Sequence, residues 1–182
     1  MSERIKKDAT SQTHESLSDE ETLLPDAFPG MTPGANPYPF LSPSQQEDEL
    51  GRLGGYRVLE VLGSGGMGVV FLAEDENLKR RVALKVLKTT LISDEMKERF
   101  FREARAMSAI RNDHVITVYQ VDEDNGVPFL AMEYLEGAPL DQILKREGKL
   151  NLFRILDLGR QTARGLAAAH KRGLIHRDIK PA

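Results

Sequence analysis

The sequence predicts an α+β fold: an antiparallel five-stranded sheet carrying one helix, followed by the beginning of a helical region. Three observations lead there. Five short segments between Tyr56 and Leu135 read as strands, with a helical period between the third and the fourth. A glycine cluster separates the first two strands, and helical periodicity resumes after Leu140. The order β-β-β-α-β-β then helices fits one sheet bearing one helix, with a second region only begun.

The chain is not uniform along its length. Six of its nine prolines fall between Pro25 and Pro43, and residues 1 to about 55 are polar and rich in Ser, Thr and Pro. Prolines so closely spaced interrupt both helix and paired strand. Such a segment buries too little apolar area to offset its ordering entropy. A disordered leader is therefore expected over 1–55, with order beginning at Tyr56. Ser42, ahead of Pro43, is a candidate phosphoacceptor that no other feature supports.

From Tyr56 each element has a local cause. YRVLEVL and VVFLAED flank the glycine cluster as two strands, and RRVALKVL is a third. Ser93 is placed to cap a helix through about Ala109, with Asp94 and Glu95 in its first turn, where the helix dipole favours acids. HVITVYQVDED and VPFLAMEYL pair around an Asp124-Asn125-Gly126 turn. A short helix follows near 140–146, then a longer one from Asn151 to Arg172 that Gly173 stops. Along this last helix Leu152, Ile155, Gly159, Thr162, Leu166 and Ala169 share a face at helical spacing.

Composition excludes several classes. A net charge of −3 with both signs abundant argues against a nucleic-acid binder. The longest apolar run, Val127 to Met132, is far below the ~18 residues of a membrane span. The N-terminus has no apolar core of a secretory signal. The absence of cysteine removes disulfides and thiolate metal sites, and a cytoplasmic setting fits.

Four features carry chemistry. GSGGMG (Gly63, Ser64, Gly65, Gly66, Met67, Gly68) continues as strand through Val69 and Val70. A dinucleotide fold would open a helix there. A strand–glycine–strand flap can admit phosphate oxygens to backbone N–H groups; a flexible hairpin turn is the alternative. Lys85 is a cation on the otherwise apolar strand face that holds Ala83 and Leu87, unless it snorkels to solvent. Glu103 sits between Phe100 and Met107 on the apolar stripe of its helix. It can bend outward to Arg99 or Arg102; taken with Lys85, it is expected instead to meet that lysine across the sheet. His176-Arg177-Asp178 follows the long helix at the end of the chain.

In this order the four features resemble the protein kinase family, through GSGGMGVVF, VALK, FFREARAM, FLAMEYLEG and IHRDIKPA, and the wording GGMGVV is most similar to bacterial serine/threonine kinases of eukaryotic type. The resemblance spans about 56–182 and implies a kinase N-lobe at about 56–132, a hinge at about 133–137 and the start of the C-lobe at about 138–182. It implies that Gly63, Gly65 and Gly68 cover the phosphates of ATP, with Leu62, Val70 and Ala83 enclosing the adenine. Lys85 would bind the α- and β-phosphates and pair with Glu103. Met132 would be the gatekeeper, and the backbone of Glu133 and Leu135 would bond the adenine. Asp178 would take the proton of a Ser or Thr hydroxyl on a protein substrate, and Lys180 would steady the γ-phosphate. Arg177 would tether an activation loop, and His176 would join an internal spine with Met107. His114 and His170 have no assigned role.

The family's Mg²⁺-binding asparagine would fall at the position after Ala182, and no Asp-Phe-Gly occurs in the chain. The expected activity is ATP-dependent serine/threonine phosphorylation, carried by an incomplete domain that is inactive alone. The alternative is a non-catalytic kinase-like binding module or an inactive remnant.

Overall fold

The computed structural model describes residues 37–65, 68–87 and 93–181. Its elements are β1 (Gly51–Leu53), β2 (Tyr56–Gly65), β3 (Gly68–Asp75), β4 (Arg80–Leu87), α1 (Asp94–Ser108), β5 (Val118–Asp124), β6 (Val127–Glu133), α2 (Leu140–Glu147) and α3 (Leu152–His170). The sheet has six strands, ordered β1-β2-β3-β4-β6-β5, and every pairing is antiparallel.

The central strand explains why the sheet has two covered faces. In β4, Val82, Leu84 and Val86 are wholly buried on one side, while Ala83 and Leu87 are buried on the other. Register carries this division to the neighbours. Val69, Phe71 and Ala73 of β3, with Phe129 and Ala131 of β6, share the side of Val86, Leu84 and Val82; we call it the outer face. The inner face packs under α1, where Ala104 meets Val118 and Leu130, with Phe100, Met107, Val121 and Met132 around them. Ser93 Oγ accepts from the Met96 N–H and so caps α1 as expected. Lys97 of α1 also ion-pairs with Glu123 of β5.

Two hairpin turns hold the sheet's geometry. At Asn125 and Gly126 the backbone takes positive φ (50° and 80°), the two-residue turn the Asn-Gly pair favours. Gly54 and Gly55 do the same between β1 and β2 (57° and 85°). Gly54 has a further constraint, since a Cβ there would lie 2.3 Å from the Phe129 ring.

That first hairpin corrects two expectations. The sheet has six strands, not five, and order does not begin at Tyr56. Tyr38 and Leu41 are buried, and the Tyr38 ring meets Phe71 edge-on at 4.9 Å. Ser42 and Arg52 exchange backbone hydrogen bonds at 2.9 and 3.0 Å along the free edge of β1. Glu49, buried, accepts from Arg52 and Arg57 and from the Gln45 N–H. The composition of 38–50 is poor for a core of its own, but the segment needs none, because it packs on the outer face of a sheet already formed. The rest of the expected leader, 1–36, lies outside the described residues.

The helical elements follow their caps. Asn151 Oδ1 accepts from the Arg154 N–H at the start of α3, and Gly173, at φ 75°, follows its last turn. Of α3 only Gly165 is buried. A Cβ on Gly165 would sit 2.6 Å from the His114 carbonyl oxygen, so glycine is what lets α3 approach the segment before β5.

Candidate active site

Antiparallel register sets the expected site residues in two rows on the inner face. Val70 of β3 lies opposite Lys85 of β4, which lies opposite Leu130 of β6; the adjoining row is Leu72, Ala83 and Met132. Lys85 is thus flanked by apolar neighbours and is half-buried, while Ala83 is buried and small. Leu72 and Leu130 were not singled out from sequence. Their signal is pairing register, which a lone sequence does not print.

Above these rows stands the glycine hairpin, with Gly63 opposite Val70 and Gly65 opposite Gly68. The three glycines are there for different reasons. A Cβ on Gly68 would be 2.1 Å from the Val86 carbonyl oxygen, so packing requires glycine. At Gly63 and Gly65 a Cβ would meet nothing within 4 Å, and neither has positive φ. Neither backbone conformation nor packing within the protein explains a glycine at these two positions. Ser64 and Leu62 are exposed beside them. Gly66 and Met67 lie outside the described residues.

The expected pairing of Lys85 with Glu103 does not occur. Glu103 bonds Arg99 instead, with Nε to Oε1 at 2.9 Å and the Glu103 side chain 53% exposed. The hydrogen bond that Arg99 donates to Glu103 raises the Arg99 guanidinium above its ordinary value. Local geometry explains the choice: residues four apart on a helix are neighbours, and a surface pair avoids the desolvation that reaching Lys85 would require. Among the described residues Lys85 has no carboxylate partner.

The far end of β6 leads out of the sheet. The Glu133 N–H donates to the Thr117 carbonyl at 2.8 Å, and Glu133 Oε2 accepts from the Thr117 N–H at 3.1 Å. Residues 134–139 then run without regular structure to α2, with Leu135 exposed.

At the end of the chain Lys180 Nζ contacts Asp178 Oδ2 at 2.9 Å. The segment is pinned to the first turn of α2, whose Asp141 N–H donates to the Pro181 carbonyl at 3.1 Å. Arg177 takes positive φ (63°), a conformation unusual for a side chain of its size. His176 is exposed, and its Nδ1 accepts weakly from the Asp178 N–H at 3.4 Å. It is therefore not in the cluster that holds Met107. A cavity of about 560 Å³ lies elsewhere, between the exit of α1 and the end of α3. Ile110, Arg111, Arg164 and Lys171 help line it, and none of the expected site residues does.

A glycine-tipped hairpin over a lysine row, a helix on the same face and a His-Arg-Asp loop beyond it agree with an independent match. Residues 56–182 match the family model described as the protein kinase domain. The chain belongs to the protein kinase family. It is 42% identical over 134 residues to the serine/threonine-protein kinase PknA of Mycobacterium tuberculosis, covering 70% of this chain and 31% of PknA. Against the serine/threonine-protein kinase PrkC of Bacillus subtilis it is 37% identical over 129 residues, covering 70% and 20%. Among solved structures the Mycobacterium tuberculosis PknI kinase domain aligns with a TM-score of 0.63 and 32% identity, over 72% of this chain and 55% of that one. The chain thus spans less than a third of these two full-length relatives. Kinase membership implies ATP and a divalent metal as partners.

Proposed function

We propose that this chain is the nucleotide-binding part of a serine/threonine protein kinase that transfers the γ-phosphoryl group of Mg-ATP to a protein hydroxyl. The observation that carries this reading is the pair Gly63 and Gly65. No neighbour and no backbone angle requires glycine at either position, and they flank the strand whose Val70 lies opposite Lys85. Open space above unsubstituted backbone suits close approach of phosphate oxygens to N–H groups. The names of the bacterial relatives support the serine/threonine class.

Each residue then has a task. Lys85 Nζ offers three N–H donors and a positive charge to the α- and β-phosphates. Val70, Ala83 and Leu62 enclose the adenine, Met132 closes the back of the pocket, and the backbone of Glu133 and Leu135 orients the base. One oxygen of Asp178 is engaged by Lys180; the other accepts the substrate hydroxyl's proton as the new O–P bond forms and the bond to the β–γ bridging oxygen breaks. Lys180, held beside Asp178 at 2.9 Å, would donate to the transferring group. Mg²⁺, when bound, neutralises charge on the phosphates. Among the described residues no group of three or more acidic or histidine side chains gathers to hold a metal.

The partner is a protein with a Ser or Thr acceptor, and the net charge of −3 suits that better than nucleic acid. No described helix is long and apolar enough to cross a membrane. A second reading, a non-catalytic nucleotide-binding module, is favoured by one observation: Glu103 pairs with Arg99 and not with Lys85. Incubation with labelled ATP and a generic protein substrate tests both. We expect the 182 residues to bind nucleotide weakly and transfer nothing. Coding sequence after codon 182 that supplies asparagine and then Asp-Phe-Gly favours the kinase. A verified stop codon there favours the module, and failure to bind nucleotide at all overturns both.

A further inference from the structure

The segment just ahead of the family match has no place in the roles above, yet it holds the sheet from two sides. On the outer face Tyr38 and Phe40 press edge-on against Phe71, at 4.9 and 6.3 Å between ring centroids. Leu41 lies so close to Gly51 that a Cβ there would be 2.9 Å from the Leu41 Cβ. On the edge, Ser42 pairs with Arg52 as a single antiparallel bridge. Beyond that bridge Glu49 sits beneath the base of the glycine hairpin. Its side chain is fully buried, and both Arg52 of β1 and Arg57 of β2 donate to it. Arg57 also reaches Glu74 of β3 at 3.1 Å and Asp48 at 2.9 Å, and Arg52 reaches Glu76 at 2.6 Å. One carboxylate therefore ties this segment, β1, β2 and β3 into a single charged network.

The placement matters because of what the same strands carry. Arg57 and Glu74 are opposed at the base of the β2–β3 hairpin whose tip is Gly65 and Gly68. Phe71, braced by two rings from behind, stands between Val70 and Leu72, which present to the inner face. The hairpin's upper half has none of this support: Leu62, Gly63, Ser64 and Gly65 are all exposed. Two register shifts, at Val58/Glu60 and Val61/Gly63, further weaken the ladder of β2. The exposed upper part of β2 takes its tilt and stiffness from the base of the hairpin and from β3 behind it.

We propose that residues 38–50 are a strap that positions the nucleotide flap, with Tyr38 bracing β3 through Phe71 and Glu49 clamping the hairpin base through Arg57. The proposal deepens the kinase reading and rests on it only for the ligand. The family match begins at residue 56, so the strap lies outside the part of the chain that it covers. Neither Tyr38 nor Glu49 touches the nucleotide; each acts through β2 and β3 as a positioning residue.

Hydrogen exchange on the whole 182-residue chain tests this, with a fluorescent ATP analogue titrated in parallel. For Glu49→Gln and Tyr38→Ala, amides of 58–65 and 68–74 should exchange about tenfold faster, since each change removes a buried contact from a local opening unit. Analogue affinity should fall several-fold, while β4 and β6 keep their wild-type protection. A purely structural segment would instead loosen the sheet evenly. Unchanged exchange in β2 and β3, or equal loosening of β4 and β6, overturns the strap. Should Tyr38→Ala fail to fold, Glu49→Gln decides alone. If the wild-type chain binds no analogue, the kinase reading fails, while the exchange result still decides whether the strap stiffens the hairpin.

Discussion

The sheet and the helix α3 were built from the same kind of signal and reach opposite states. In the sheet, apolar residues at period two find partners on both sides: α1 packs on the β5–β6 part of the inner face, and Tyr38 and Phe40 of the strap pack on Phe71 of the outer. Phe71, Val58, Leu84 and Val86 have no exposed surface. In α3, apolar residues at helical spacing find almost none. Phe153 is 85% exposed, Leu152 66% and Leu156 60%. Periodicity marks a face that seeks a partner; burial depends on whether the chain supplies one. The proposed site straddles this divide, with Ala83 and Lys85 on the sheet and Asp178 exposed at the end of the chain.

The largest expected effect breaks the comparison directly. Phe71→Ala should destabilise the chain by about 3–5 kcal/mol, the usual loss for a large buried ring, and leave it unfolded or nearly so by circular dichroism. Leu156→Ala in α3 should change stability by less than about 0.5 kcal/mol, as exposed substitutions do. The open face should show itself differently, as self-association measured by light scattering. Replacing Leu152, Phe153 and Leu156 together with Gln or Ser should reduce that association.

Three further changes separate the glycine held by packing from the two proposed to face a ligand. Gly68→Ala should cost about 1–3 kcal/mol or more, because its Cβ would lie 2.1 Å from the Val86 carbonyl oxygen and 3.3 Å from the Leu87 Cα, backbone atoms that must shift. Gly63→Ala and Gly65→Ala should leave the melting temperature nearly unchanged and weaken nucleotide binding. Equal melting temperatures for all three variants would remove the distinction.

What sequence could tell follows the same line. The β2–β3 flap, the alternation of β4, the Ser93 and Asn151 caps and the Asn125-Gly126 turn were legible because each has a local cause. The strap was not, because its proline-rich composition was weighed over a whole window, whereas Tyr38 and Leu41 are held by a sheet already there. Its hairpin did leave a mark: Gly54-Gly55 between Arg52-Leu53 and Tyr56-Arg57 is a two-residue turn signal. Glu103 failed for another reason. Helical spacing sets which face a Cα occupies, but a glutamate is long enough to leave that face, and Arg99 stands one turn away. The Met107–His176 contact rested on resemblance alone, with no local pattern in this chain behind it.

Smaller effects probe the charged groups. Burial pushes the Glu49 carboxyl up, but the Gln45 N–H and the Arg52 and Arg57 guanidiniums outweigh it and hold the group below its ordinary 4.5. Its contribution to stability is therefore present above about pH 4.5 and lost as pH falls through the lower folded value. Glu49 bonds Arg52 of β1 and Arg57 of β2, so acid should loosen β1 and β2 before β6. Exchange protection measured from pH 6 to pH 3.5 checks the order, and Glu49→Gln should flatten it. Least of all, Arg99→Ala should cost under about 0.5 kcal/mol, since its pair with Glu103 is exposed.

The most direct test of the inner face as a nucleotide site is to compare the wild-type chain with Lys85→Met. A fluorescent ATP analogue measures binding, and hydrogen exchange maps where protection appears. The account predicts weak, saturable binding by the wild type with protection in β2, β3 and β4. It predicts none for Lys85→Met at a melting temperature within about 2 °C of wild type, since a half-buried lysine with no ion-pair partner among the described residues contributes little to the fold. Equal binding by both proteins, or protection confined to α3, would contradict it.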